Sequence, residues 1–237
     1  LCVQPKTKDT KAQLLYLHGG GYAMGSAKTH WKMAGRIARR THFEVWIPNY
    51  RLAPEQPYPA ALEDALTAWE AMQQRFAGEP LFLAGDSAGG GLALSLLFRL
   101  KERGKPMPKA TYLISPWCDL SGQLPGYDQQ EQKDPFLDRA SLARFAKFYA
   151  GTQLKNPEIS PVFNEARDLG SILLQVGGDE LLLPDALAME RLLKEGNTDV
   201  DLEIYPGMFH VFQAGDGVLP EAKKALNKAG NWLLSHL

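Results

Sequence analysis

The stretch LFLAGDSAGGG, residues 81 to 91, decides the fold of this chain. A short apolar run leads into a G-x-S-x-G pattern at residues 85–89, and helical periodicity follows directly. A serine on so tight a turn from strand to helix adopts strained backbone angles, and the flanking glycines relieve the crowding. The Ser87 hydroxyl then points out of the sheet edge, and the N–H of Ala88 lies at a helix N-terminus, which favours an anion. The stretch therefore predicts a serine nucleophile.

A second glycine-rich stretch, YLHGGGYAMG at residues 16 to 25, follows an earlier apolar run. Three consecutive glycines are costly to order, so this loop must need a backbone free of side chains. Attack of a serine on a carbonyl creates an oxyanion, which two or three backbone N–H groups can stabilise. We expect Gly20, Gly21 and Ala88 to supply these groups, and His18 to shape the loop. A phosphate-binding turn is the alternative, but no Lys-Ser/Thr follows and the G-x-G-x-x-G spacing is absent.

Short apolar runs alternate with helical patterns along the whole chain. Strands are predicted at residues 13–17, 43–48, 81–85, 110–114, 171–176 and 200–205, with a further strand, or the remnant of one, at 1–4. Helices are predicted at residues 29–40, 60–76, 88–103, 139–150, 184–195 and 220–236. This alternation predicts an α/β fold with a mainly parallel central sheet and helices on both faces. The 237 residues fit a single domain, residues 1–237.

One region interrupts this alternation. No convincing strand lies between residues 115 and 170, which contain five prolines and one amphipathic helix carrying Phe145, Phe148 and Tyr149. Long irregular excursions in a compact domain are usually functional. We therefore expect roughly residues 115–170 to contribute a partial cap, or lid, over the C-terminal edge of the sheet. The alternative is a long surface connection without such a role.

A serine nucleophile needs a general base, which we expect to be a histidine later in the chain. Of the five histidines, only His210 and His236 follow Ser87. His236 is the penultimate residue, on a terminal helix where fraying is expected. His210 lies in a loop directly after a predicted strand. We therefore predict His210 as the general base.

The histidine in turn needs an acid that holds its tautomer. This acid should follow the strand at residues 171–176, where the chain continues Gly177-Gly178-Asp179-Glu180. Asp179 comes first off the strand and is the predicted acid, with Glu180 as the alternative. Asp185 lies within the following helical pattern and is less suited.

Taken together, these motifs resemble the hormone-sensitive lipase family of α/β-hydrolases, the esterases with an HGGG loop. The segments at 49–64, 114–120 and 160–163 are also similar to that family, and the resemblance extends over nearly the whole chain from Leu14. The family's D-x-L pattern fits residues 179–181. The resemblance implies an α/β-hydrolase fold and a serine carboxylesterase that favours short acyl chains and forms an acyl-enzyme intermediate. An amidase or deacetylase with the same triad, or a ligand-binding relative without catalysis, are the alternatives.

The composition of the chain argues against several classes of binding partner. Apolar residues make up 45% and charged residues 22%, with a formal net charge of -1, so no nucleic acid is expected. No apolar run reaches the roughly 18 residues that a membrane span needs, so no stable membrane insertion is expected. No Cys/His cluster has zinc spacing, and we predict neither metal nor cofactor. The predicted partner is a small-molecule ester substrate.

The start of the chain bears on three further expectations. Only 17 residues precede His18, whereas the family resemblance implies a longer segment that contributes to the cap. An N-terminal cap segment is therefore expected to be missing, and the uncovered apolar surface would favour a homo-oligomer. The two cysteines favour a reducing, cytoplasmic location, with a leader peptide left open because the sequence begins at Leu1.

Overall fold

The central feature is one seven-stranded sheet in the part of the chain that the computed structural model describes, residues 1–7, 9–165 and 167–237. The strands are β1 (Cys2–Val3), β2 (Gln13–Leu17), β3 (Glu44–Trp46), β4 (Leu81–Asp86), β5 (Ala110–Ile114), β6 (Ser171–Gly177) and β7 (Asp199–Tyr205). Their order across the sheet is β1-β3-β2-β4-β5-β6-β7. All neighbouring pairs are parallel except β1 with β3. The predicted mainly parallel sheet is confirmed.

Helices connect these strands. Within the described residues they are α1 (Ala27–Thr41), α2 (Ala60–Arg75), α3 (Ala88–Glu102), α4 (Tyr127–Glu131), α5 (Arg139–Ala150), α6 (Leu183–Glu195) and α7 (Pro220–Leu234). Two of them begin at side-chain caps. The Ser26 hydroxyl accepts the N–H of Thr29 at the start of α1, and the Asp138 carboxylate accepts the N–H of Ser141 at the start of α5. Such caps satisfy N–H groups that the first helical turn leaves without partners.

The sheet separates two apolar cores. Side chains alternate along β2, so that Leu15 and Leu17 face the core formed with α2 and α3, whereas Leu14 and Tyr16 face the core formed with α1 and α7. Both sets are fully buried, which explains why the strand is apolar almost throughout. Helices therefore cover both faces of the sheet, as the sequence predicts.

The observed element ends agree closely with the predicted ones. All six predicted helices are present, and 139–150 has the same bounds. The short helix α4 is an addition. Strand β3 ends at Trp46, before the predicted residue 48, because Pro48 has no N–H for the ladder. In the described part of residues 115–170 there is no strand, as expected.

The candidate residues all follow strand ends at one edge of the sheet. Parallel pairing aligns Leu17 with Gly85, Asp86 with Ile114, and Gly177 with Tyr205. The loops after β2, β4, β5, β6 and β7 consequently emerge at the same edge. Open α/β sheets bind their ligands at the carboxyl ends of the strands.

Candidate active site

Ser87 lies on a strained turn between β4 and α3. Its φ of 52° and ψ of −124° are rare for a residue with a side chain. A Cβ at Gly85 would lie 2.3 Å from the carbonyl oxygen of Gly89, and a Cβ at Gly89 would lie 2.1 Å from that of Leu17. Only glycine fits these two positions, so the turn requires the glycines that the motif supplies. The Ser87 N–H donates to the carbonyl of Ile114 at 2.9 Å, which anchors the turn on β5.

The glycine loop after β2 presents unused backbone donors. Gly20 and Gly21 have φ values of 119° and 60°, in the region that favours glycine. The carbonyl of Gly20 accepts the N–H groups of Ala23 and Met24, which closes a tight turn. Among the described residues, no hydrogen bond uses the N–H of Gly20 or of Gly21. The N–H of Ala88, the first residue of α3, has no acceptor within its helix.

A buried carboxylate next to the serine holds this loop. Asp86 Oδ1 accepts the Tyr16 hydroxyl at 2.7 Å and the Gly19 N–H at 3.0 Å, and Oδ2 lies 3.6 Å from His30 Nε2. Burial alone raises the pKa of Asp86, but the neighbouring His30 ring and the hydrogen bonds from Tyr16 and Gly19 outweigh it and hold this pKa below its usual value. The Gly19 donor is therefore committed to Asp86, which leaves the next two glycines for a ligand.

His18 supports the same loop through its ring. The ring stacks on Tyr50, with centroids 4.2 Å apart, and on His30, with centroids 5.2 Å apart. Its Nδ1 lies 2.9 Å from the Gly19 carbonyl oxygen, so Nδ1 carries the hydrogen and donates it. Burial lowers the pKa of His18 and favours the neutral ring. These contacts agree with the role in shaping the loop that the sequence suggests.

His210 is in contact with a carboxylate, and that carboxylate belongs to Glu180. The distance from His210 Nδ1 to Glu180 Oε1 is 3.2 Å, and the Glu180 side chain is completely buried. Burial alone lowers the pKa of His210, but the hydrogen bond and negative charge of Glu180 raise it above the ordinary value. With Nδ1 donating to Glu180, the other ring nitrogen, Nε2, is available as a proton acceptor.

The contact expected for Asp179 is made in the structure by Glu180, the alternative that the sequence analysis names. After β6 the chain stays paired with its neighbour, because Gly178 N–H donates to the Tyr205 carbonyl and Asp179 N–H to the Met208 carbonyl. The chain turns into the site only at residue 180. Asp179 is half-buried, and its side chain has no hydrogen bond or ion pair in the described part of the chain.

Ser115 is a polar residue of this site to which the sequence analysis assigns no role. Its hydroxyl donates to Glu180 Oε2 at 2.7 Å and accepts the Val211 N–H at 3.2 Å. The backbone of Ser87 and the backbone that follows His210 are thus bonded to consecutive residues at the end of β5. A signal was present in the sequence, because Ser115 directly follows a buried strand at the edge where the other candidates lie.

Helix α5 covers the glycine loop. The rings of Tyr149 and Tyr22 stack with centroids 3.8 Å apart and an interplanar angle of 3°. A Cβ at Gly21 would lie 2.8 Å from the Phe145 ring, so α5 contacts the loop directly. A cavity of about 130 Å³ lies beside this helix, and Trp117, whose backbone N–H donates to the Ser87 carbonyl at 2.9 Å, forms part of its wall.

The residues that the structure describes lack two further features. They contain no group of three or more His, Cys, Asp and Glu side chains placed to hold a metal ion. They also contain no helix with the length and apolar character that crossing a bilayer demands.

Comparison with known proteins gives consistent matches. The family described as alpha/beta hydrolase fold matches residues 14–214. An acetyl-hydrolase of Streptomyces hygroscopicus is 39% identical over 98% of this chain and 78% of its own length. An esterase of Acinetobacter venetianus is 32% identical over 93% of this chain and 74% of its own length. The crystal structure of an esterase from the bacterial hormone-sensitive lipase family has a TM-score of 0.91 and 37% identity, covering 95% of this chain and 76% of that one.

Proposed function

The chain belongs to the hormone-sensitive lipase family of α/β-hydrolases and is an esterase, and from this premise we propose that it cleaves short-chain acyl esters with Ser87, His210 and Glu180. The observation that carries the proposal is the 3.2 Å contact between His210 Nδ1 and Glu180 Oε1. This contact lies beside the end of β5, where Ser115 donates to Glu180 and where the Ser87 N–H donates to the Ile114 carbonyl. This combination of hydroxyl, imidazole and carboxylate is the one that acyl transfer needs.

The reaction proceeds in two halves. His210 Nε2 takes the proton of the Ser87 hydroxyl as its oxygen attacks the ester carbonyl. The negative charge on the former carbonyl oxygen is stabilised by the N–H groups of Gly20, Gly21 and Ala88. The tetrahedral intermediate collapses, the alcohol leaves with the proton from His210, and an acyl group remains on Ser87. A water molecule, deprotonated by His210, then attacks the acyl-enzyme; the bond to Ser87 breaks, His210 returns the proton to the Ser87 oxygen, and the acid is released.

Glu180 has two functions in this scheme. It accepts the hydrogen on Nδ1, which fixes the tautomer with a free Nε2, and its charge stabilises the imidazolium that forms. Because His210 must be neutral to act as a base, kcat/KM should rise with pH through the pKa of His210. Glu180 raises that pKa, so the acid limb should lie at a higher pH than it would for a histidine without this partner.

The acyl groups cleaved are proposed to be short. What supports this is the name of the Streptomyces hygroscopicus relative, an acetyl-hydrolase. In this scheme α5 acts as the cap that the sequence predicts over the sheet edge.

The test combines one variant with a chain-length series. We expect Ser87→Ala to lower turnover of p-nitrophenyl butyrate by about 10³-fold or more, with the fold intact. The matched control is Ser235→Ala, which removes an exposed hydroxyl at the end of α7 and should leave turnover unchanged. Acetate and butyrate esters should be cleaved faster than laurate esters. Near-normal turnover by Ser87→Ala would refute the mechanism, and a preference for p-nitroacetanilide over the ester would indicate an amidase.

A further inference from the structure

Ser115 lies at the end of β5, between the segments that carry the three proposed triad residues. It is fully buried, and its φ of 46° places it in the left-handed region. Its N–H donates to the Gln175 carbonyl at 2.8 Å, and the carbonyl of the preceding residue, Ile114, accepts the N–H of Ser87. The backbone here is therefore fixed to β6 on one side and to the turn after β4 on the other.

The Ser115 hydroxyl links Glu180 to the segment that carries His210. It donates to Glu180 Oε2 at 2.7 Å, while Glu180 Oε1 lies 3.2 Å from His210 Nδ1. The same hydroxyl accepts the N–H of Val211, the residue directly after His210, at 3.2 Å. One oxygen atom therefore holds both the carboxylate and the backbone that carries the imidazole.

The identity of the residue at position 115 supports a role for the hydroxyl. A left-handed conformation is unfavourable for serine, and glycine would adopt it without steric cost. Backbone geometry alone would favour glycine. The two hydrogen bonds of the hydroxyl account for a serine at this position, since glycine could make neither of them.

We propose that Ser115 is a positioning residue for ester hydrolysis, whose hydroxyl holds Glu180 and the 210–211 segment at the separation that the Glu180–His210 hydrogen bond requires. The inference rests on the proposed function, because the separation affects turnover only if His210 is the general base. Ser115 acts through these two neighbours and is not itself a group that exchanges protons with the substrate.

Two variants of Ser115 separate the hydroxyl from the backbone. Ser115→Ala removes the hydroxyl and keeps the unfavourable conformation, whereas Ser115→Gly removes the hydroxyl and relieves it. In both, we expect kcat for p-nitrophenyl butyrate to fall about 10- to 100-fold, with KM nearly unchanged, because small misplacements of reacting groups cost up to about 10²-fold. The acid limb of kcat/KM should move to lower pH, since a looser Glu180 raises the pKa of His210 less.

Thr41→Val is the matched control. The Thr41 hydroxyl is also fully buried and also makes one donated and one accepted hydrogen bond, to the Ile37 carbonyl and from the Phe43 N–H. It lies at the end of α1, away from the site. Loss of this hydroxyl should lower the melting temperature without moving the pH profile, which shows what a purely structural hydroxyl does.

The outcomes distinguish this proposal from the proposed function. Wild-type kcat and an unmoved acid limb in both Ser115 variants would overturn the positioning role. A fall in kcat with an unmoved acid limb, matched by Thr41→Val, would overturn it as well. If Ser115→Ala does not fold, Ser115→Gly decides, because glycine fits the backbone. Turnover retained by Ser87→Ala would instead refute the proposed function, whatever the Ser115 variants do.

Discussion

Replacement of Glu180 by glutamine keeps the size of the side chain but changes its hydrogen bonding. Glu180 Oε2 accepts two donors, the Ser115 hydroxyl and the Gly177 N–H, each at 2.7 Å. An amide has only one acceptor oxygen, and these two donors favour placing it there. The amide NH₂ then faces His210 Nδ1, which has to accept. The ring hydrogen consequently moves to Nε2, the nitrogen that must take the proton from Ser87.

The size of the effect follows from this change of tautomer. In a serine protease, the corresponding carboxylate-to-amide change lowers kcat about 10⁴-fold, equivalent to about 5.5 kcal/mol of transition-state stabilisation. We expect a loss of about 10³- to 10⁴-fold for Glu180→Gln, because the same nitrogen is blocked and the amide still fits its buried site. Asp179→Asn is the matched control, since its neighbouring carboxylate is half-buried and makes no side-chain hydrogen bond in the described residues. It should change kcat less than about threefold.

The assay is steady-state hydrolysis of p-nitrophenyl butyrate by both variants, with thermal melts followed by circular dichroism to confirm folding. A loss near 10³-fold in Asp179→Asn, together with Glu180→Gln within about tenfold of the wild type, would refute the assignment of the acid. Equal, small losses in both would show that no carboxylate orients His210.

Three further changes test other parts of the site. Gly21→Ala should lower kcat about 10- to 100-fold, because the added Cβ would lie 2.8 Å from the Phe145 ring and displace the N–H donors of the loop. Outright loss of one such donor costs about 10²–10³-fold. An unchanged kcat would contradict the proposal that this loop binds the oxyanion. His30→Gln should flatten the pH dependence of the free energy of unfolding. Burial lowers the pKa of His30, but Asp86 outweighs burial and raises it, so the stabilisation is fully present below about pH 6.5 and is lost as pH rises through the folded-state pKa. Urea titrations giving equal losses at acid and alkaline pH would contradict this. His236→Ala should leave kcat within about twofold, and a large loss would reassign the general base.

The fold could be predicted because local and global signals agree. The strand in 81–86 is apolar on both faces, as a strand between two helical layers must be, and the glycines beside Ser87 are placed where the turn allows no side chain. The parallel order then brings the loop ends to one edge without further information. Ser87, His210 and the glycine loop could be selected on this basis.

The choice between Asp179 and Glu180 could not be made in this way. The side chains of adjacent residues point in different directions, so the conformation of the turn after β6 decides which one reaches His210. That turn depends on hydrogen bonds to the end of β7 and the segment after it. Those bonds join residues that are distant in sequence. The hydrogen bonds of Ser115 could not be anticipated for the same reason, because both of its hydroxyl partners lie more than 60 residues further along the chain.

The stacking of Tyr149 on Tyr22 has a consequence for how this scaffold can be diversified. Exchanging α5 between relatives is an obvious way to alter which acyl groups are accepted, but here the helix also buttresses the peptide groups proposed to bind the oxyanion. A chimaera that imports a foreign helix without its tyrosine partner would lose rate on every substrate alike, and such a loss could be misread as altered selectivity. Grafts should therefore carry positions 22 and 149 together.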